Sequence, residues 1–437
     1  MLVYYIHLGI RSLKRMPVLT VLMAITIGFG VAASMTSYAV FRAVSGNPIP
    51  WKSNQLFVPQ VDNWGPQKVG DPAEPPDLLS YTDAMALMDA HAASRQTAIY
   101  PVAFSVLPGD AVHKPFAING YATYADFFSM FEVPFRYGNA WGAEEDRQRS
   151  DTVVIGERLN QLLFGGANTV GKQIVLDGHA YRIQGVVADW NPHPRFYDAA
   201  NANGFASAAP DVFLPFTRAV DLQVETKGTN ACNGRGGTGW DKWLRSQCVW
   251  ISLWVELPDA SAVQHYRTFL QGYAFEQQHA GRFNWPPNTR LRNVTEWLDY
   301  EHVAPQESKV SLLVSLAFMI VCLVNTVGLL LAKFMRRTGE IGVRRALGAS
   351  RRQIYVQFLV EAGMVGLAGG VLGLLLTELG MSCIGLLFEP DIARLAHMDP
   401  GLFLLTLAVA VISAMTAAFY PTWRAAQVPP GGQLKAG

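Results

Sequence analysis

The sequence predicts an α-helical membrane protein with four transmembrane helices and a large mixed α/β extracytoplasmic domain inserted between the first and second. Three observations lead there. Half of the 437 residues are hydrophobic and only 16% are charged, whereas soluble domains average about a quarter charged. The apolar residues come in blocks: 16–41 holds 26 residues without a charge, and 310–332 and 401–423 hold 23 each, all longer than the roughly 20 residues that cross a bilayer. A fourth block, 354–388, carries only Glu361 and Glu378 as charges and is rich in glycine. The third observation is where the charge lies. Segments 1–15, 333–353 and 424–437 hold twelve Lys/Arg against one acid, Glu340, yet the whole chain is only +1. Loops rich in Lys/Arg stay on the cytoplasmic side. The three basic segments are therefore expected inside, and 42–309 and the short acidic loop 389–400 outside.

In chain order, 1–15 reads as a basic amphipathic helix at the inner surface, with Tyr4, Tyr5, Ile6 and Leu13 apolar. Pro17 opens the first span, whose apolar run is too long for a typical signal peptide, so it is expected to stay as an anchor. Asp77 to His91 has a helical period, with Leu78, Tyr81, Met85 and Met88 on one face. Residues 99–107 and 115–121 alternate like strands, and Tyr124–Phe131 is a short aromatic helix or turn. Asp151–Ile155 is a strand entering a helix, Glu157–Phe164. Lys172–Leu176 and Tyr181–Val187 form a hairpin about Asp177-Gly178, a strong two-residue turn signal. Residues 190–210 read as a loop, Asp211–Phe216 and Val249–Glu256 as strands, and Ala260–Gln278 as a helix. The inserted region exceeds the usual size of a single core, so two subdomains are expected. A helix starting near Thr295 is expected to continue into the second span as a stalk near 295–309.

The segment 333–353 carries the most specific pattern. It reads KFMRRTGEIGVRRALGASRR from Lys333 to Arg352. Basic residues there explain topology but not the order of side chains. Ile341, Val343, Ala346 and Leu347 make an apolar stripe beside Glu340, Arg344 and Arg345, and Gly348 stands where a helix would be capped. A short capped amphipathic helix can dock into a soluble partner. RRTGEIGVRRALGASRRQI resembles the coupling-helix segment of the MacB/FtsX/LolC-type (mechanotransmission) ABC transporter permeases. The likeness extends through VNTVGLLLAKFMRR upstream and QFLVEAGMVGLAGGVLGLLL downstream, and returns at AAFYPTWRAA, 417–426. More loosely, NPIPWKSNQLFVPQ resembles the family's exit from the first span.

The resemblance implies a non-catalytic permease subunit. In the family the matching segment, here Glu340, Ile341, Arg344, Arg345, Ala346, Leu347, Gly348 and Ala349, docks a cytoplasmic ATPase dimer. ATP and magnesium would sit in that partner, expected as a separate chain, and no cofactor in this one. A second permease copy or a related permease, the lipid bilayer, and a periplasmic adaptor with an outer-membrane channel are the further partners implied; nucleic acid is not. The location implied is a bacterial inner membrane with both termini cytoplasmic. Movement of the external domain would drive export of a peptide, antibiotic, siderophore or lipid-linked cargo, the large external domain favouring export. The alternative is FtsX-like signalling that activates a periplasmic partner such as a cell-wall hydrolase.

Other features weigh differently. Cys232 and Cys248, both external, are expected to form a disulfide, since that side permits oxidation, and no metal-ligand spacing accompanies them. Gly166–Lys172 nearly matches a phosphate-binding loop, but Gln173 replaces the required Ser or Thr and the segment runs from helix to strand. Asn325 is expected to bond across to another helix. Glu361 is expected to pair with Arg351 or Arg352 at the inner interface, and Glu378 to reach the headgroups. The glycines from Gly363 to Gly373 suggest a packing face. No catalytic constellation is present in the sequence.

Overall fold

The structure, a computed structural model, describes residues 15–66, 68, 71–106, 114–202, 208–234, 237–303, 306–387 and 398–427. Apart from Arg15, the interfacial helix expected in 1–15 lies outside these, as do most of the loop 389–400 and the end of the tail 424–437. The chain divides into two compact units: residues 46–303, and the flanking segments 1–45 and 304–437.

Helix α1 (Pro17–Ser45) leads to the inserted unit. Its elements are β1 (Leu56–Val61), β2 (Leu79–Ser80), α2 (Tyr81–Asp89), β3 (Arg95–Val106), β4 (Phe116–Thr123), α3 (Asp126–Met130) and β5 (Phe135–Gly138). There follow α4 (Ala143–Arg147), β6 (Thr152–Gly156), α5 (Glu157–Phe164), β7 (Gln173–Leu176), β8 (His179–Val187), α6 (Ala199–Ala202) and β9 (Val212–Pro215). The unit closes with α7 (Phe216–Asp221), α8 (Trp240–Leu244), β10 (Val249–Glu256), α9 (Ala260–His279), β11 (Thr289–Asn293) and α10 (Val294–Tyr300). One sheet runs β11-β1-β10-β3-β4-β9-β6-β8-β5, with β2 beside β10 and β7 beside β3 and β8. β4–β9 and β6–β8 are parallel.

Successive side chains of a strand point to opposite faces, and this divides the core in two. Ala98, Tyr100, Val102 and Phe104 of β3 join Val255 and Val153 on one face. Ile99 joins Tyr121, Phe213 and Trp254 on the other. The length of the region suggested two subdomains; instead 46–303 is one compact unit, and its two cores are the two faces of a single sheet. Every position of β10 is buried, so it reads as a continuous apolar run rather than an alternating one.

The hairpin forms as its turn chemistry demands: Asp177 and Gly178 have φ of 48° and 83°, the pair of left-handed residues a type I′ turn requires. Upstream, α5 ends in a loop that enters β7, an order opposite to a phosphate-binding loop, and the Lys172 ammonium lies 5.4 Å from the Phe164 ring. Part of the region expected as a loop, 190–210, is structured. Phe196–Asp198 forms a 3₁₀ turn, and Phe196 and Tyr197 fill the second core.

The expected continuous stalk is broken. α10 starts with a capping box, Asn293 accepting from the Glu296 amide while Glu296 reaches back to the Asn293 amide. It stops at Tyr300, followed by His302 at φ 50°, a left-handed residue that a helix does not continue through. The next helix begins at Gln306.

That helix is α11 (Gln306–Met335), followed by α12 (Thr338–Ala346), α13 (Arg351–Leu387) and α14 (Pro400–Ala426). α1, α11, α13 and α14 are each long and apolar enough to cross a membrane. The glycines of α13 serve two neighbours. A Cβ on Gly366 would lie 2.6 Å from the Ala414 Cβ of α14, and one on Gly369 would lie 2.9 Å from Ile27 of α1. Backbones approach closely only because those side chains are missing. Four buried threonine hydroxyls turn to their own backbone: Thr326, Thr377, Thr406 and Thr422 each donate to the carbonyl four residues earlier, which satisfies them without water.

Candidate functional site

α12 is set off by two turns. Arg336 and Arg337 break it from α11. At its other end Gly348, at φ 97°, follows the last helical turn. The Gly348 amide donates to the Arg345 carbonyl (3.1 Å) and the Ala349 amide to the Arg344 carbonyl (3.1 Å), the bond pair of a Schellman cap. One residue on, the Ser350 hydroxyl accepts from the Gln353 amide and the Gln353 side chain from the Ser350 amide. This capping box starts α13 at once, so the path from α12 to the next span has little slack. The SRRQ pattern was the sequence signal for it.

Side chains then fix which way α12 faces. Ile341 is 2% exposed and joins a core with Phe334, Ile354 and Phe358. On the other side Leu347 is 83% and Val343 56% exposed, with Ala346 exposed beside them. Ile341 therefore corrects the expected outward stripe: it holds the helix to its own bundle, and Val343, Ala346 and Leu347 are the apolar groups left outward. Arg345 and Ala349 are half-buried, and Gly348 is exposed.

A charged network ties the helix down. Glu361 of α13 is buried and meets the Lys333 Nζ of α11 at 2.6 Å and the Arg337 Nη1 at 3.0 Å. Arg337 Nε reaches Glu340 Oε2 (3.2 Å), and Arg344 reaches Glu340 Oε1 (2.9 Å) and Gln357 Oε1 (2.8 Å). Arg15 adds a longer contact to Glu340, 3.4 Å. Partial burial alone would raise the Glu340 carboxyl, but Arg337, Arg344 and Arg15 outweigh it and hold it below the usual carboxylate value. The expected partners of Glu361, Arg351 and Arg352, are instead exposed at the start of α13. Arg344 faces its own bundle rather than outward.

The other sequence candidates lie apart from this site. Asn325 is exposed on α11, and among the described residues it makes no bond across to another helix. Glu378 is exposed in the half of α13 away from α12, where its backbone carbonyl accepts from the Ser382 hydroxyl. Among the described residues no group of His, Cys, Asp and Glu is arranged to hold a metal ion.

Two family models match the chain. The MacB-like periplasmic core domain matches residues 20–268, and the FtsX-like permease C-terminal model matches 312–430. The chain belongs to the MacB/FtsX-type permease family. It is thus a membrane protein whose inserted unit is a MacB-like periplasmic domain. Among its relatives, a macrolide export ATP-binding/permease protein MacB of Syntrophobacter fumaroxidans is 24% identical over 71% of this chain and 46% of its own length. A pyoverdine export ATP-binding/permease protein PvdT of Pseudomonas syringae is 23% identical over 93% of this chain and 56% of its own. The chain therefore spans about half the length of these relatives. The periplasmic region of MacB from Actinobacillus actinomycetemcomitans aligns with 56% of this chain and 92% of its own, at 14% identity and a TM-score of 0.36.

In the inserted domain, Cys232 and Cys248 are joined, closing a loop of sequence separation 16. Chain entropy makes such a bond worth about 3 kcal/mol. Alkylation without reduction, read by mass spectrometry, should leave both cysteines unlabelled; a chain labelled at both would show the thiols free.

Glu301, just past α10, is half-buried, and Asp77 and Arg292 act on its carboxyl. Burial pushes its carboxyl from 4.5 up to about 8, Asp77 adding to the rise and Arg292 opposing it. An acid raised on folding keeps its proton in the folded state after the unfolded chain has released it. Its stabilisation is present below about pH 4.5 and is lost as pH rises towards 8. Glu301→Gln should therefore flatten the decline in melting temperature between those limits. An unchanged slope would show that Glu301 titrates normally.

Proposed function

We propose that this permease is the membrane part of an ATP-driven export system, in which α12 docks a cytoplasmic ATPase and transmits its movement. The observation that carries the reading is the two-sidedness of α12. Val343, Ala346 and Leu347 are offered outward, while Ile341, Arg337 and Glu340 clamp the same helix to α11 and α13. A push on the free face moves both spans, because a packed, ion-paired interface transmits strain rather than absorbing it. The inserted domain follows α1 and precedes α11 in the chain, so helix movement has two covalent routes to it. The basic residues around α12 support a cytoplasmic position, with the termini on that side of a bacterial inner membrane and the inserted domain across it.

The cargo class follows from the relatives named for macrolide and pyoverdine export: a medium-sized antibiotic or siderophore, released through a dimer of permeases to a periplasmic adaptor and outer-membrane channel. Affinity purification of the tagged chain from its own membranes tests the coupling. An ATP-hydrolysing partner should co-purify, and cells lacking the chain should retain cargo. A chain that recovers a cell-wall hydrolase and no cargo phenotype would favour signalling over export.

A further inference from the structure

A pocket of about 360 Å³ opens beside the disulfide loop of the inserted domain, lined by Gln223, Glu225, Thr226, Asn230, Trp240 and Trp243 among others. That volume is in the range of small-molecule sites. Both walls are built. On one side α8 supplies Trp240 and Trp243, each with its ring 6.4 Å from that of buried Trp250. Trp250 is in turn packed edge-on against Tyr100 at 4.8 Å. The loop bearing the two tryptophans is closed by the Cys232–Cys248 bond and by the paired backbones of Ala231 and Val249. On the other side, the segment holding Glu225 and Thr226 is pinned to β3: Tyr100 Oη donates to the Val224 carbonyl (3.2 Å) and the Lys227 amide to the Pro101 carbonyl (2.9 Å). Nothing in the permease's coupling mechanism uses these residues.

We propose that this pocket binds the ammonium group of a small organic cation. Indole rings carry negative electrostatic potential on their faces and attract cations, most strongly alkylated ammonium groups held between several rings. Among the described residues of the lining, Glu225 carries the charge, and its carboxylate has the matching sign. Gln223, Thr226 and Asn230 provide neutral donors and acceptors to orient the rest of a polar ligand. A neutral sugar could stack on the same rings, but it would gain nothing from Glu225 as a charge. The proposal stands on the pocket alone and does not depend on α12 docking an ATPase.

The test uses the full chain in nanodiscs of phosphatidylethanolamine and phosphatidylglycerol, with empty nanodiscs as the blank. The probes are choline, its uncharged isostere 3,3-dimethylbutan-1-ol, and cellobiose, followed by ligand-observed NMR. Choline should bind about tenfold more tightly than the alcohol, the margin expected of aromatic and carboxylate attraction for a cation. Glu225→Gln, a conservative change at an exposed position, should cut choline binding about fivefold and leave the alcohol unaffected. Trp240→Ala should weaken choline by a similar factor, with the melting temperature showing that the domain is folded. Equal binding of choline and the alcohol overturns the proposal. So does tighter binding of cellobiose, an unaltered Glu225→Gln variant, or no choline binding to the wild-type chain.

Discussion

Leu347→Asp is expected to abolish co-purification of the ATPase while leaving the chain inserted and folded. Leu347 lies at the end of α12, 83% exposed, so the described residues of this chain leave its side chain uncovered. An exposed apolar residue becomes costly to change only when a partner covers it. Interfaces concentrate their energy in a few buried contacts worth about 2 kcal/mol or more each, and a carboxylate there would be buried without a counter-charge. Binding should fall by at least about a hundredfold, below what a pull-down retains. Arg351→Ala with Arg352→Ala should do much less, since both lie beyond the Gly348 cap. Protease accessibility of the inserted domain checks that orientation is kept. Wild-type binding by Leu347→Asp, with topology unchanged, would remove α12 as the docking element.

Glu361→Ala should destabilise the membrane unit more than any surface change. The carboxylate neutralises Lys333 and Arg337 together, and Lys333 is completely buried. Removing one partner of a buried ion pair leaves an uncompensated charge and costs about 3–5 kcal/mol, a large part of a stability margin that is itself about 5–15 kcal/mol. The variant should accumulate poorly and melt early in detergent. Replacing Lys333 and Glu361 together by methionine should recover most of the loss. Buried pairs exchanged for apolar groups are often neutral, and Arg337 retains Glu340. A Glu361→Ala chain that melts like wild type would show that the network does not hold α12 in place. A double variant that melts no higher than the single one would point to a separate role for Glu361.

The same two residues show how far local sequence reasoning reaches. The existence and ends of α12 were readable, because the basic pairs, Gly348 and the following Ser350 act within one or two helical turns. The outward side of α12 was not. Ile341 and Leu347 are equally apolar and six positions apart, and only Phe334, Ile354 and Phe358 decide which one is covered. Glu361 presented the same difficulty. Its nearest cations along the chain are Arg351 and Arg352, but the helical hairpin returns Lys333 and Arg337 from the preceding span to its side. The pocket by the disulfide was equally hidden: Trp240 and Glu225 line one cavity because the tryptophans pack on Trp250 of β10 while the segment holding Glu225 is pinned to β3.

By itself the sequence determined the four spans, the insertion between the first and second, the strand-to-helix step at Thr152–Phe164, the hairpin turn at Asp177-Gly178 and the capped helix between the second and third spans. Each rests on hydropathy, period or turn chemistry over a few neighbouring residues. The tertiary structure decided that 46–303 is built on one sheet with a core on each face, that the helix before the second span stops at Tyr300, and that Ile341 anchors while Leu347 is free. These outcomes depend on pairings between distant segments, such as β1 with β10 and β11. The energy of such contacts belongs to both partners at once, so neither segment alone encodes it.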